Sequence, residues 1–284
     1  MVSTPQKKGG IIIHQEDTVI DLMEMYQNKL TLLIEDSDIS KKNIELNLAS
    51  DEEYKRHHIE KNIPEKIKNN MSLFEGFIAK NILSGAKILD IGCGTRKDIP
   101  PYFNNIVSTN YYFGLDPIKV NLEDRNYPFF CCGIEDLKKI QFKEKFDLAL
   151  FSTSLDHIDN ISSVFSILKG KIKNGNILIW VGLHDSNIVA RSFGTHIFNQ
   201  IFMGKNIVSW LARLVKILIT NIYPLIIMFH KREKKLKLSL PLDDKHFHYF
   251  TYEKFLKMLS NHGHIKESIL VPGTNSLFVN YMIK

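Results

Sequence analysis

The sequence predicts an α/β fold: a doubly wound, mostly parallel sheet with helices on both faces. Two observations carry this. The stretch Lys-Ile-Leu-Asp-Ile-Gly-Cys-Gly-Thr at 87–95 sets an apolar strand directly ahead of an Asp90-x-Gly92-x-Gly94 turn. Over residues 85–185, short apolar runs closed by a turn or an acid then follow one another, with a helix-length segment before the last of them. Such runs suit strands buried on both faces of a parallel sheet.

The turn itself predicts a nucleoside site. Gly92 and Gly94 let the backbone bend sharply and approach a ligand with no Cβ in the way, and Asp90 is placed to hold the loop amides or meet a cationic ligand. A dinucleotide fingerprint needs a third glycine, which lets helix and strand pack under a pyrophosphate. Lys97 stands there. The expected ligand therefore lacks a pyrophosphate, which argues against a nicotinamide-dependent oxidoreductase.

The next runs extend the pattern. Phe113-Gly114-Leu115-Asp116 ends a second strand, and an acid at that edge is in place to accept from both hydroxyls of a ribose. Phe129-Phe130-Cys131-Cys132 runs into the acidic turn Gly133-Ile134-Glu135-Asp136. A buried strand over 146–151 leads through Ser152 to Leu155-Asp156-His157-Ile158, and a fifth strand, 176–181, follows the turn Lys173-Asn174-Gly175.

With these five motifs in this order, the chain resembles the class I S-adenosylmethionine-dependent methyltransferases. Residues 90–94 resemble their motif I, and Leu155-Asp156-His157-Ile158 is similar to their Leu-Glu-His-Val after strand four. The resemblance implies a seven-stranded Rossmann-like sheet whose last strand is antiparallel, and S-adenosyl-L-methionine as cofactor. It places Asp90, Gly92, Cys93 and Gly94 on the amino-acid part of the cofactor, Asp116 with Pro117 at the ribose, and Ile134 with Glu135 by the adenine. Ser152 joins them as a cofactor contact. The chain departs from the family at Gly133, where many relatives carry an Asp that accepts from the adenine amino group; here the acceptor must be Glu135, Asp136 or a backbone carbonyl.

The later segment 246–251 resembles the His-x-x-Phe-Thr stretch that many small-molecule and polysaccharide-linked methyltransferases carry before their last helix. Thr251 is a suitable N-cap for a helix over 252–261 with Phe255, Leu256 and Leu259 inward, and strands follow at 265–271 and 276–283. The implied reaction is methyl transfer to a small-molecule, saccharide or lipid-linked acceptor; the alternative is a non-catalytic cofactor-binding or regulatory protein of the same fold. Base candidates are His157 beside Asp156, His184 beside Asp185, and His246 and His248 in the late loop. Histidine suits the task because its reference pKa near 6.5 leaves it a neutral proton acceptor. His246 and His248 alternate with Phe247 and Tyr249, so one is expected to face the pocket and the other solvent.

Composition fits a soluble globular enzyme: 284 residues, 44% hydrophobic, net charge +6. The basic excess is local, with Lys231, Arg232, Lys234, Lys235 and Lys237 close together, so nucleic-acid binding is not expected. Ser152-Thr153-Ser154-Leu155 stands where a base-methylating enzyme would carry an Asn-Pro-Pro-Tyr-like motif. Three cysteines show neither metal-ligand spacing nor a disulfide framework, and no secretory signal is evident at the start, which points to the cytoplasm.

Two units are expected. Residues 1–83 form an N-terminal helical extension and cofactor-side cap, with helical spacing over 17–34, a charged helix over 51–70 presenting Tyr54, Arg56 and His57, and an amphipathic helix over 64–83. Residues 84–284 form the methyltransferase domain, with a helical insertion at about 186–242. Within that insertion, Ser209, Arg213, Lys216 and Thr220 make a narrow polar stripe on a wide apolar helix at 207–219. Two readings of it stay open: a lid over the acceptor pocket, or an interfacial helix whose basic neighbour makes peripheral contact with anionic lipid at the inner face of the membrane.

Overall fold

The central strand of the protein is buried on both sides. In the computed structural model, which describes residues 10–13, 19–34, 65–185 and 246–284 together with Ile188, His230, Lys231, Lys234 and Lys235, the apolar run ahead of the glycine turn forms a strand, Lys87–Ile91. Numbered in chain order, the strands are β1 (Ile11–Ile13), β2 (Val19–Ile20), β3 (Thr31–Leu33), β4 (Lys87–Ile91), β5 (Tyr111–Leu115), β6 (Phe129–Cys131), β7 (Gln141–Phe142), β8 (Leu148–Ser152), β9 (Asn176–Gly182), β10 (Gly263–Leu270) and β11 (Ser276–Ile283). The main sheet runs β1-β3-β6-β5-β4-β8-β9-β11-β10, and β2 pairs with β7 apart from it. Every neighbour in the main sheet is parallel except β11, which lies antiparallel between β9 and β10.

Four α-helices are described: α1 (Leu22–Asn28), α2 (Glu65–Asn81), α3 (Ile161–Lys171) and α4 (Tyr252–His262). On one face, α2 lays Met71, Phe74, Phe77 and Ile78 onto the sheet. Phe74 is fully buried, with its ring centroid 5.4 Å from Trp180 of β9 and 5.1 Å from Phe278 of β11. Polar groups tie the same helix down, since Asn70 donates to Ser276 Oγ at 3.0 Å and Asn280 to Asn81 Oδ1 at 2.6 Å. The opposite face is covered by Leu22 and Met25 of α1, Val164, Phe165 and Leu168 of α3, and Phe255 and Leu259 of α4. The crossovers among β4, β5 and β6 are turns and short 3-10 segments rather than full helices.

The expected seven strands are nine, because the N-terminal region is not the helical preface that its spacing suggested. Over 19–34 only α1 is helical; Asp21 caps its first turn by accepting from the Met23 and Glu24 amides, and Lys29 ends it at φ +48°. Beyond Lys29 the chain returns as β3, pairing Leu32 with Phe130, and β1 pairs outside it. The open edge of β6 supplies backbone partners that a helix over 30–34 could not use, so sheet pairing overrides the local period. The 64–83 helix appears as α2. The charged 51–64 stretch with Tyr54, Arg56 and His57, the helix at 207–219 and nearly all of the 186–242 insertion lie outside the described residues. Among those described, no helix is long and apolar enough to cross a membrane.

The C-terminal ends of β4, β5, β6, β8 and β9 share one edge, and the loops that leave them build the site.

Candidate active site

At the end of β4 the backbone turns through Gly92 (φ +76°) and Gly94 (φ +74°). The two glycines serve different ends. A Cβ on Gly92 would stand 2.4 Å from Ser154 Cβ and 2.9 Å from its Oγ, whereas one on Gly94 would meet nothing within 4 Å. Ser154 is itself fixed, its hydroxyl donating to the Ile91 carbonyl. The amides of Gly92 and Cys93 donate to Leu115 O at 2.8 and 3.3 Å, and that of Gly94 donates to Asp116 Oδ2 at 2.9 Å. A phosphate cradle works by pointing such amides at its anion. Here they are committed to β5 and the residue after it, so the bend opens as space beside backbone rather than as an anion site. That geometry fits the amino-acid end of S-adenosylmethionine, whose ammonium is a donor.

Asp90 does not hold the loop amides as its position suggested. It is fully buried beneath the bend, Oδ2 accepting from the hydroxyls of Tyr102 at 2.6 Å and Tyr112 at 2.7 Å, while Oδ1 has no hydrogen-bond partner among the described residues. Burial pushes its pKa up to about 6, with the two tyrosine hydroxyls pulling the other way. A carboxyl with a raised folded pKa keeps its proton in the native state at pH values where the unfolded chain has released it, so stability falls as pH rises through that window. Asp90→Asn removes this cost. Relative to wild type, the variant is expected to gain about 2 kcal/mol between pH 4 and pH 7, mostly below pH 6. Denaturant unfolding at both pH values checks this, and a difference independent of pH would contradict it.

Cys93 brings only its backbone to the bend. Its thiol points into the core, where a Cβ on Gly114 would lie 2.7 Å from the sulfur, and burial raises its pKa. Asp116, at the C-terminal end of β5, is 5% exposed and accepts from Gly94 N through Oδ2 and from Ile118 N, at 3.0 Å, through Oδ1. The expected ribose carboxylate is thus also the clasp of the glycine bend. Each carboxylate oxygen accepts more than one hydrogen bond, so the two tasks are compatible. Pro117, half-buried, follows it on the way to Ile118.

Sequence reasoning missed the other half of this clasp. Arg125, 4% exposed, donates to Gly94 O at 3.0 Å, to Arg96 O at 2.9 Å and to the Tyr127 hydroxyl, and its guanidinium carbon lies 3.6 Å from the centroid of the Phe129 ring. The Tyr127 hydroxyl in turn donates to Arg96 O at 2.8 Å, and Asn121 donates to Thr95 O at 3.0 Å. The β5–β6 loop therefore grips three successive carbonyls of the bend. A buried arginine in an irregular loop has no periodic signature; its only trace is a charge just ahead of an apolar run.

At the end of β6, Gly133 is buried and its carbonyl accepts from Asp136 N at 3.1 Å. Ile134 sits in the core at 4% exposure. The Asp136 side chain is buried and ion-paired with Lys139 at 2.8 Å, and Glu135 is half-exposed. Of the two acids considered for the adenine, Glu135 therefore faces outward and Asp136 inward.

The residues expected on the acceptor side gather after β8. Beyond Ser152, Thr153 adopts φ +58°, its amide donating to Trp180 O at 2.8 Å, and a single 3-10 turn spans Leu155–His157. Asp156 is 7% exposed, and its carbonyl accepts the amides of Phe247 and His248 at 2.9 and 3.2 Å. These bonds dock the late loop. They put His246 Nε2 3.7 Å from Asp156 Oδ2, with His157 Nε2 4.0 Å from Asp156 Oδ1 and the two imidazole rings 4.6 Å apart. Burial raises the Asp156 pKa, and the nearby His157 and His246 draw it part of the way back. His184 flanks the group, 6.2 Å from the His246 ring and 5.4 Å from that of Tyr249.

His248 turns the other way, its Nε2 2.9 Å from Asp159 O and its ring stacked on Phe250. In the strict register of His-x-x-Phe-Thr the histidine would occupy position 247, which is Phe247; the two histidines flank it. Thr251 makes no side-chain cap to α4. The first amide of α4, that of Tyr252, instead donates to Asp185 Oδ2 at 2.7 Å, and the His184 amide donates to Phe250 O at 2.8 Å. Asp185 is thereby a helix cap that anchors the late loop to β9, not a free base.

A sheet in the order β6-β5-β4-β8-β9-β11-β10 with β11 alone reversed, a glycine bend after β4 and a carboxylate after β5 together define a class I S-adenosylmethionine-dependent methyltransferase. The chain belongs to the methyltransferase-domain family, whose model matches residues 56–264, and its cofactor is S-adenosylmethionine. No curated protein matches the chain. Among solved structures it is similar to the 1,6-didemethyltoxoflavin N1-methyltransferase of Burkholderia thailandensis with bound 1,6-didemethyltoxoflavin and S-adenosylhomocysteine, at 12% identity and a TM-score of 0.50, over 88% of this chain and 93% of that one. It is also similar to the magnesium protoporphyrin IX methyltransferase of Synechocystis with bound S-adenosylmethionine, at 11% identity and a TM-score of 0.47, over 87% and 100%. At these identities the likeness is one of fold.

Proposed function

We propose that this methyltransferase acts on a small hydroxyl-bearing molecule held between the Gly92–Gly94 bend and the Asp156, His157 and His246 group. The observation that carries this reading is the docking of the late loop onto Asp156, which assembles a carboxylate and two imidazoles beside the segment that packs on Gly92. S-adenosylmethionine, when bound, supplies an electrophilic methyl group on its sulfonium. The chain's own task is to align the acceptor, exclude water and draw off the hydroxyl proton. Asp116 accepts from the ribose hydroxyls and Glu135 lies beside the adenine. His246, backed by the Asp156 carboxylate, receives the proton, and His157 and His184 shape that side of the pocket. A saccharide or lipid-linked acceptor would be one form of such a hydroxyl.

Two sets of variants test the division of the site. Asp116→Asn keeps one carbonyl oxygen for the bend but loses the charge, and should weaken S-adenosylhomocysteine binding by roughly 1.5–3 kcal/mol, the range for charge-assisted hydrogen bonds. Isothermal calorimetry reads this, and unchanged affinity would place the ribose elsewhere. On the acceptor side, His246→Ala should lower turnover by about 10²–10⁴-fold, the usual contribution of a positioned proton acceptor, with S-adenosylhomocysteine affinity preserved. His248→Ala should do far less. If His246→Ala lost cofactor binding while still folded, the late loop would be a cofactor clamp.

A further inference from the structure

We infer that Asp156, His157 and His246 form a binding site for a divalent first-row transition metal ion of the zinc type. One ligand atom from each, a carboxylate oxygen and two imidazole nitrogens, can be chosen so that all three lie within 4.8 Å of one another. Tetrahedral ligands about 2.1 Å from a zinc ion stand roughly 3.4 Å apart. The nearest contacts run to different Asp156 oxygens, 3.7 Å from His246 Nε2 to Oδ2 and 4.0 Å from His157 Nε2 to Oδ1, so gathering both imidazoles around one oxygen requires turning the carboxylate and closing spacings of up to 4.8 Å.

A second observation points to a cation independently of that spacing. Asp156 Oδ1 is buried and has no hydrogen-bond partner among the described residues. A buried carboxylate oxygen left without a donor is costly, and a cation at the centre of the group would satisfy it. The donor set selects the kind of ion: two imidazole nitrogens and one oxygen suit zinc and similar borderline first-row ions, whereas magnesium and calcium favour all-oxygen surroundings. The scaffold holds the ligands from both sides. The Asp156 carbonyl binds the amides of Phe247 and His248, so the loop carrying His246 is fixed by the same residue that contributes the carboxylate, and Asp185 caps α4 just beyond it. Bound there, the ion would coordinate the acceptor hydroxyl and lower its proton affinity; His246 would then act as a ligand in place of accepting the proton, which would pass to solvent. That consequence rests on the acceptor-side reading above; the binding of the ion does not.

The test uses the full chain, free of any affinity tag and stripped with a chelator, without cofactor or acceptor. Zinc is titrated by calorimetry and cobalt by its visible absorption, with magnesium as the control ion. Wild type is expected to take up one equivalent of zinc and to give a cobalt spectrum of low coordination number, and magnesium should not compete. His246→Ala, which lies on a partly exposed loop, and Asp156→Asn, which retains the backbone carbonyl, should each weaken zinc at least tenfold while circular dichroism shows both folded. Absence of zinc and cobalt binding by wild type, or zinc binding as tight as wild type in either variant, would overturn the inference. Neither result would touch cofactor binding or the turnover of His246→Ala, so failure here is separable from failure of the proposed function.

Discussion

Gly92→Ala is expected to destabilise the protein by about 2–6 kcal/mol and to weaken S-adenosylhomocysteine binding at least tenfold. Two costs add. A non-glycine residue held at φ +76° carries on the order of 1–3 kcal/mol of backbone strain. The new methyl would also stand 2.4 Å from Ser154 Cβ, and overpacking a well-filled site costs typically 1–3 kcal/mol more. Ser154 cannot swing aside freely, because its hydroxyl is bonded to the Ile91 carbonyl and it leads directly into the Asp156 turn. Relief would therefore have to come from the bend itself, where Gly94 N meets Asp116. Gly94→Ala is the informative contrast. It bears similar strain at φ +74° but meets no neighbour, so its stability loss should be the smaller while its methyl enters the open space proposed for the cofactor. Thermal unfolding and calorimetry on both variants check the ordering; equal stability losses would mean that the Ser154 contact relaxes at no cost.

Arg125→Met is expected to cost about 1–3 kcal/mol of stability, the range for leaving a buried acceptor without its donor. The guanidinium satisfies the carbonyls of Gly94 and Arg96 and the Tyr127 hydroxyl while stacking on Phe129, and methionine replaces its bulk but none of its donors. The Gly94 carbonyl, left dry, loses about 1–3 kcal/mol, while Arg96 O keeps the Tyr127 hydroxyl. Arg125→Lys should recover little, since an ammonium cannot address these acceptors in one plane or stack on the ring. Cofactor affinity should fall in both, because the outer wall of the bend loses its grip. Denaturant unfolding with calorimetry measures the two effects; a lysine variant as stable as wild type would show that charge alone matters there.

Much of the fold is legible because it is locally encoded. The apolar runs that became β4, β5, β6, β8 and β9 are buried on both faces, and the glycine bend declares itself through residues that tolerate positive φ. The strand at 276–283 and the helices at 65–81 and 252–262 also stand close to where their patterns place them. The N-terminal strands were not legible: Thr31-Leu32-Leu33 is equally apolar on a helix, and only the exposed edge of β6 makes it a strand. Thr251 illustrates the same limit at a single residue. It has the composition of a cap, but the Asp185 carboxylate, brought from the end of β9, takes the helix amide instead.

The sequence by itself determined the kind of ligand edge this protein has: a strand, a glycine bend without the third glycine of a pyrophosphate site, and an acid at the next strand end. Those features are set by neighbours a few residues apart, through φ angles and strand burial, and so can be read from a linear string. The tertiary structure alone decided what faces that edge. Asp156 and His246 are about ninety residues apart, and they meet because backbone amides of the late loop bond to the Asp156 carbonyl. Arg125 reaches the bend from a loop with no regular period. Such contacts depend on hydrogen bonds between distant segments, whose partners are chosen by geometry rather than by spacing, and for that reason one imidazole of the pair at 246 and 248 joins the site while the other turns to Asp159.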